Sequence, residues 1–179
     1  GDALVISTFA TKRFDNGFKG TVGYAFQNIN DGSPMNSSTA SSNFGNLSVT
    51  DLLEPGIATS NYETEHRFTL NLSYVTQFID GLDTRFTLFG SRQSGRAYSY
   101  TFDGDPGFGD ERSFEDRNLL YVPFEDDQFV NYGDDFDLAA FNTFIEEAGL
   151  EGKRGTILNR NSQNSDWWSR VDLRVSQQI

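Results

Sequence analysis

Apolar and polar residues alternate along several stretches of the chain, and a period of two is the mark of a strand with one face turned to an apolar medium. In "FKGTVGYAFQN", Phe18, Gly20, Val22, Tyr24 and Phe26 fall on one side and Lys19, Thr21, Gly23, Ala25 and Gln27 on the other. "RFTLNLSYVTQF" repeats the pattern, with Phe68, Leu70, Leu72, Tyr74 and Phe78 opposed to Arg67, Thr69, Asn71, Ser73 and Gln77. Near the end, Ser169, Val171, Leu173, Val175, Gln177 and Ile179 alternate with Arg170, Asp172, Arg174, Ser176 and Gln178. The stretch 84–102 reads as a longer strand, in which Phe86 and Leu88 share a face with Tyr98, Tyr100 and Phe102 while Arg92 and Arg96 interrupt it. A bulge near Gly90 or Gly95, or a strand running beyond a bilayer, accounts for the interruption. "ALVISTFATKRF" reads as a further strand whose inward face the pattern leaves open. Five strands are therefore expected, near 3–13, 18–29, 66–78, 84–102 and 168–179.

The connections alternate between short and long. "FDNGF" (14–18) is a hairpin signal, because Asn-Gly adopts the positive φ angles of a tight turn, and "IDGLD" (79–83) is a second short turn containing Gly. Residues 31–65 and 103–166 are polar connections rich in Gly, Ser, Asn and Asp. Such lengths are unusual inside a compact soluble domain, whereas outer-membrane barrels have short periplasmic turns and long external loops. Within the second loop, "DLAAFNTFIEEAG" spaces Leu138, Phe141, Ile145 and Ala148 as a short helix, with Asp137 as N-cap and Gly149 just past its end.

Composition sharpens this all-β reading. Seventeen Phe, seven Tyr and seventeen Gly beside one Met suit pleated surfaces and turns better than packed helices. The net charge of -12 excludes the basic footprint a nucleic-acid partner needs. Residues 103–166 hold 16 Asp+Glu against 5 Lys+Arg, so one segment carries nearly all of that charge. With no cysteine there is neither a disulfide framework nor a thiolate metal site. No run of 18 apolar residues reads as a transmembrane helix, and "GDALVIST" lacks the features of a secretory signal.

Candidate chemistry is sparse. His66 follows Glu63 and Glu65, but a lone His without clustered partners reads as a polar residue at a strand start rather than a metal ligand. "DGDPGFGDE" (103–111) offers Asp103, Asp105, Asp110 and Glu111 to a hard cation, yet it departs from the EF-hand pattern and reads as a solvated acidic loop. No GxSxG or other nucleophile arrangement is present, and carboxylates abundant in an acidic loop make no catalytic pair. The expectation is no enzyme, with no catalytic, cofactor-binding or metal-binding residue and no cofactor. Asn36, Asn46 and Asn71 begin N-x-S patterns that carry little meaning in a bacterial-looking barrel. Lys19, Arg67, Arg170 and Arg174, with Asn71, Gln77 and Asp172, fall on predicted polar faces, where pairing with neighbouring strands or with a plug inside a barrel is favoured over lining a substrate path. Tyr98, Tyr100, Trp167 and Trp168 are expected as membrane-interface anchors.

Taken in order, "KRFDNGF", "ASSNFGN", "EHRFTLNLSYVTQF", "SGRAYSYTF", "LLYVP", "FNTFIEEAGLEGKRGTILNRN" and "WWSRVDLRVSQQI" resemble the C-terminal barrel of TonB-dependent outer-membrane receptors, within them the Oar-like group, over nearly the whole chain. The resemblance implies a 22-stranded barrel in the outer membrane of a Gram-negative bacterium, closed by an N-terminal plug. A periplasmic segment would engage TonB, and inner-membrane energy would drive uptake of a bound ligand. Relatives of this architecture carry iron chelates (siderophores), cobalamin, carbohydrates or peptides. The chain has no recognisable plug or TonB-binding segment and lacks the aromatic-ended final strand of such barrels. It is therefore expected to be an internal piece of a larger receptor, five strands contributing lipid contact on one face and a lumen on the other. A passive barrel or adhesin, and a secreted acidic β-sandwich binding carbohydrate or calcium, are the alternatives.

Overall fold

The computed structural model describes residues 1–103, 107 and 117–179. Its strands are β1 (Asp2–Arg13), β2 (Phe18–Asp31), β3 (Ala58–Thr59), β4 (His66–Ile79), β5 (Leu82–Gln93), β6 (Ala97–Tyr98), β7 (Tyr121–Val122), β8 (Thr156–Ile157), β9 (Gln163–Asn164) and β10 (Trp168–Gln177). Two α-helices, α1 (Ala40–Gly45) and α2 (Leu138–Glu147), and one 3₁₀ turn (Glu151–Lys153) complete the described elements. The chain divides into two compact units: Gly1–Asp31 with Thr59–Ala97 and Asn164–Ile179, and Gly32–Ala58 with Tyr98–Gln163.

The first unit is an antiparallel sheet whose long strands run in the order β1-β2-β4-β5-β10. It is open: among the described residues β1 pairs only with β2 and β10 only with β5. The hairpins joining β1 to β2 and β4 to β5 lie at one end. The long connections leave and re-enter at the other, where Arg67, Gln93 and Trp168 are in register. In the first hairpin only Gly17 takes a positive φ, +84°. Asn16 does not share it as the Asn-Gly pair suggested, and its side chain instead accepts the Phe18 N–H at 3.3 Å. Gly81, at φ +76°, closes the two-residue turn between Ile79 and Leu82.

The single strand expected over 84–102 is two. β5 ends at Gln93, and β6 begins at Ala97 after a break. Gly95 sits in that break against Ser165, whose carbonyl oxygen lies where any Cβ would have to go. On either side of it, the Ser165 N–H bonds the Arg96 carbonyl at 3.0 Å and the Arg96 N–H bonds Ser165 Oγ at 3.0 Å. The irregularity in the long ladder falls not at Gly90 but between Gln77 and Ile79, while Gly90 pairs regularly with Leu70 and Val171.

The second unit holds the buried core of the described residues. Leu47, Val49, Leu119, Leu120, Val122, Ile145, Leu150 and Leu158 are all buried, and all come from the two long connections. Leu120, Val122, Ile145, Leu150 and Leu158 form one cluster, with Tyr100, Phe102, Phe141, Phe144 and Ala148 packed against it. α2 supplies its anchor. Asp137 caps the helix, its carboxylate accepting the Ala140 N–H at 2.9 Å, and Gly149 (φ +67°) ends it. Ile145 is thereby placed fully inside the cluster. The ladder of β7 and β8 pairs Tyr121 with Ile157 and Val122 with Thr156 beneath it.

Candidate functional site

The register sorts the sheet into two chemically distinct faces. One cross-strand row runs Ala10, Val22, Leu70, Gly90, Val171, and the next runs Gly20, Leu72, Leu88, Leu173. These aliphatic rows are flanked by aromatic ones. Towards the hairpins, Phe18, Tyr74 and Phe86 are in register, with Phe14 against Phe18 and Phe78 against Phe86. Towards the long connections, Tyr24 meets Phe68 at 4.9 Å, and Trp167 stacks on His66 at 5.9 Å and 10°. From Phe18 to Tyr24 is roughly 20 Å of strand, and to Phe26 roughly 27 Å. This apolar surface is uncovered: Val22 is 54%, Leu173 69% and Val171 71% exposed.

The opposite face collects Lys19, Arg67, Asn71, Arg85, Arg170, Asp172 and Arg174, with Val5, Phe9, Val75, Phe89 and Trp168 among its apolar members. Arg170 pairs with Asp172 through Nε to Oδ2 at 2.8 Å and Nη2 to Oδ1 at 3.1 Å. Gln77 donates to Asp83 at 2.9 Å. On the apolar side, at the hairpin end, Thr84 bonds Gln177 across the β5–β10 ladder.

His66 opens β4 with its Nδ1 2.9 Å from the Tyr24 hydroxyl and its Nε2 3.5 Å from Glu65. Glu63 is turned to the backbone, accepting the Ile29 N–H. Among the described residues no three His, Cys, Asp or Glu side chains converge on a metal position. Of the acidic stretch 103–111, Asp103 is described, whereas Asp105, Asp110 and Glu111 lie outside the described residues. Trp167 stands on the apolar face, and Trp168 pairs with Gln93 on the polar one. Tyr98 and Tyr100 do not continue the long strand as expected, since the break at 94–96 ends it. Tyr100 packs instead against the loop core and Phe144.

The second unit carries a cleft of about 710 Å³, half of whose lining residues are aromatic. Its wall is a chain of rings: Tyr132 stacks on Phe136 at 5.0 Å, Phe136 meets Phe141 edge-on at 5.5 Å, Phe141 stacks on Phe144 at 6.2 Å, and Tyr100 meets Phe144 edge-on at 5.0 Å. Phe129 and Phe136 stand exposed at the cleft. Asp103, Thr101 and Asn131 are its polar lining beside the tyrosines. The Tyr98 hydroxyl, 3.1 Å away, together with partial burial pushes the Tyr100 phenol up to about 12. Tyr121 donates to Asp127 Oδ2 at 2.7 Å, which raises the phenol and, with the Phe129 N–H, holds the carboxyl below its ordinary value. Burial raises Tyr132. Arg154 fastens this region by donating to the Pro123 carbonyl and the Asn142 amide oxygen, each at 2.9 Å.

The sequence pattern passed over this cleft, because Phe129, Tyr132 and Phe136 have neither strand nor helix periodicity. Their signal was density alone: five aromatic residues between 121 and 136 in an otherwise acidic loop. Compared with protein-family models, curated proteins and solved structures, the chain matches none.

Proposed function

We propose that this chain is part of the barrel of a TonB-dependent outer-membrane receptor, with the sheet in the bilayer and the loop unit capturing ligand outside it. The observation that carries the reading is the uncovered apolar face, aliphatic in its middle and aromatic at both ends, on a sheet with short turns at one end and long connections at the other. A barrel wall has that pattern, with an apolar band about 25 Å tall between aromatic girdles. In this reading the open edges of β1 and β10 would pair with further strands, since a spanning sheet satisfies its backbone only by closing. A sandwich would bury the Val22, Leu173 and Val171 side chains between two sheets, and their exposure favours the barrel. Energy-coupled uptake rests on the resemblance of the motifs to the receptor family.

The native gene product tests this reading in two steps. Recovery from the outer-membrane fraction at several times 20.1 kDa, with in-cell cross-linking to TonB, is expected. An outer-membrane product that never cross-links to TonB would instead be a passive barrel or adhesin. A product near 20.1 kDa in the soluble fraction would contradict both.

A further inference from the structure

The loop-unit cleft combines aromatic faces with a carboxylate, and no Lys, Arg or His is among its described lining residues. We propose that it binds a small organic cation: an apolar body carrying one amine, guanidinium or quaternary ammonium group. The inference rests on the cleft being the capturing surface, and it is independent of energy coupling.

Volume sets the scale. About 710 Å³ falls in the range of small-molecule sites rather than protein interfaces. Tyr132, Phe136, Phe141 and Phe144 all line the cleft, and aromatic rings attract a cation at their faces and cover an apolar body. Asp103 supplies a full negative charge at the lining, within a segment whose net charge is -11. That field concentrates cations and repels anions.

The hydrogen-bonding groups point the same way. The Tyr100 hydroxyl is engaged by Tyr98, and the Tyr121 hydroxyl is committed to Asp127, so neither is held ready for a polyol. Arg154, the cation whose charge reaches Tyr132, already has its guanidinium held by the Pro123 carbonyl and Asn142. Thr101, Asn131 and Tyr132 are neutral donors of the lining, and no cationic side chain among its described residues is there to pair with a carboxylate or phosphate ligand.

A matched series on one phenylpropyl body separates charge from shape: 3-phenylpropylammonium, 3-phenylpropanol and 3-phenylpropionate, titrated calorimetrically into the full-length protein in nonionic micelles. The ammonium is expected to bind about tenfold more tightly than the alcohol, and the carboxylate more weakly than either. Asp103→Asn should remove several-fold of the ammonium's advantage and leave the alcohol unchanged. Phe136→Leu, which keeps apolar bulk without the π face, should weaken the ammonium more than the alcohol. Equal binding of all three, preference for the carboxylate, or an ammonium advantage untouched by both substitutions would overturn the cation assignment. Failure of all three to bind would overturn the capture surface with it, while outer-membrane recovery and TonB cross-linking would still decide the barrel reading separately.

Discussion

Arg92 is the residue that breaks the apolar pattern of β5, and its place in the register explains how a charge is accommodated there. It pairs with Phe68 and Ser169, one row in from the end with the long connections, and its guanidinium lies 5.7 Å from the Trp167 ring centroid. A long stem along an apolar surface with its head at an aromatic ring is how such side chains meet an interface. At the other end of the sheet, Gly17 is fixed by two constraints at once. Its φ is +84°, and a Cβ would stand 2.5 Å from the Val75 carbonyl oxygen. Gly17→Ala is therefore expected to destabilise the protein by at least about 1 kcal/mol, beyond the ordinary glycine–alanine difference, read from the midpoint of denaturant unfolding. In the loop unit, the Tyr121–Asp127 bond sets a pH window. Because the folded carboxyl is held below its ordinary value, its contribution is present above about pH 4 and fades as pH falls through the lowered value. The phenol, raised in the fold, contributes below about pH 10, and its share fades as pH rises through the raised value. Asp127→Asn should lower the melting temperature at pH 7, with the difference from the parent shrinking as the pH is taken to 3. A constant difference across that range would mean that the carboxylate's charge is not what matters.

Among the elements, the strands were the legible part, because each side chain's face follows from a period of two. β2, β4 and β10 place Val22, Leu70, Leu72, Val171 and Leu173 together as the alternation implies, and α2 was readable from the spacing of Leu138, Phe141 and Ile145 between Asp137 and Gly149. What the pattern could not supply were interruptions set by tertiary contact. Apolar residues of one parity resume at Tyr98, Tyr100 and Phe102 after the interruption by Arg92 and Arg96, yet the strand stops at Gln93, because Gly95 is held against Ser165, some 70 positions along the chain. The loop core was hidden for a related reason. Leu120, Val122, Leu150 and Leu158 are scattered through polar sequence with no common period, and they converge only through the pairing of β7 with β8 and the docking of α2. The two faces of β4 give an element-level prediction. Leu72→Arg puts a charge in the middle of the apolar rows and is expected to cost about 2–4 kcal/mol of stability in a bilayer, whereas Asn71→Arg on the opposite face should be near neutral. Equal sensitivity in a bilayer unfolding titration would contradict the assignment of faces.

At the scale of the whole molecule, the two units dispose of their apolar side chains differently. The loop unit buries Leu47, Val49, Leu119, Leu120, Val122, Ile145, Leu150 and Leu158, while Leu53, Ile57 and Ile157 stay exposed. The sheet leaves its apolar rows uncovered and its outer strands unpaired on one side among the described residues, which is what the proposed barrel would cover with lipid and further strands. No helix of the described residues is long and apolar enough to cross a membrane, and the proposed crossing is made by strands alone. The most direct test of that account is a nitroxide scan of the full-length protein in outer membranes, with one label at a time on residues 70 to 73 and 171 to 174. The account predicts a period of two: labels at 70, 72, 171 and 173 relaxed by oxygen dissolved in lipid, and labels at 71, 73, 172 and 174 by a water-soluble nickel chelate. Labels on both faces relaxed by the nickel chelate alone, or labels on the apolar face shielded from both reagents as in a dry core, would contradict it.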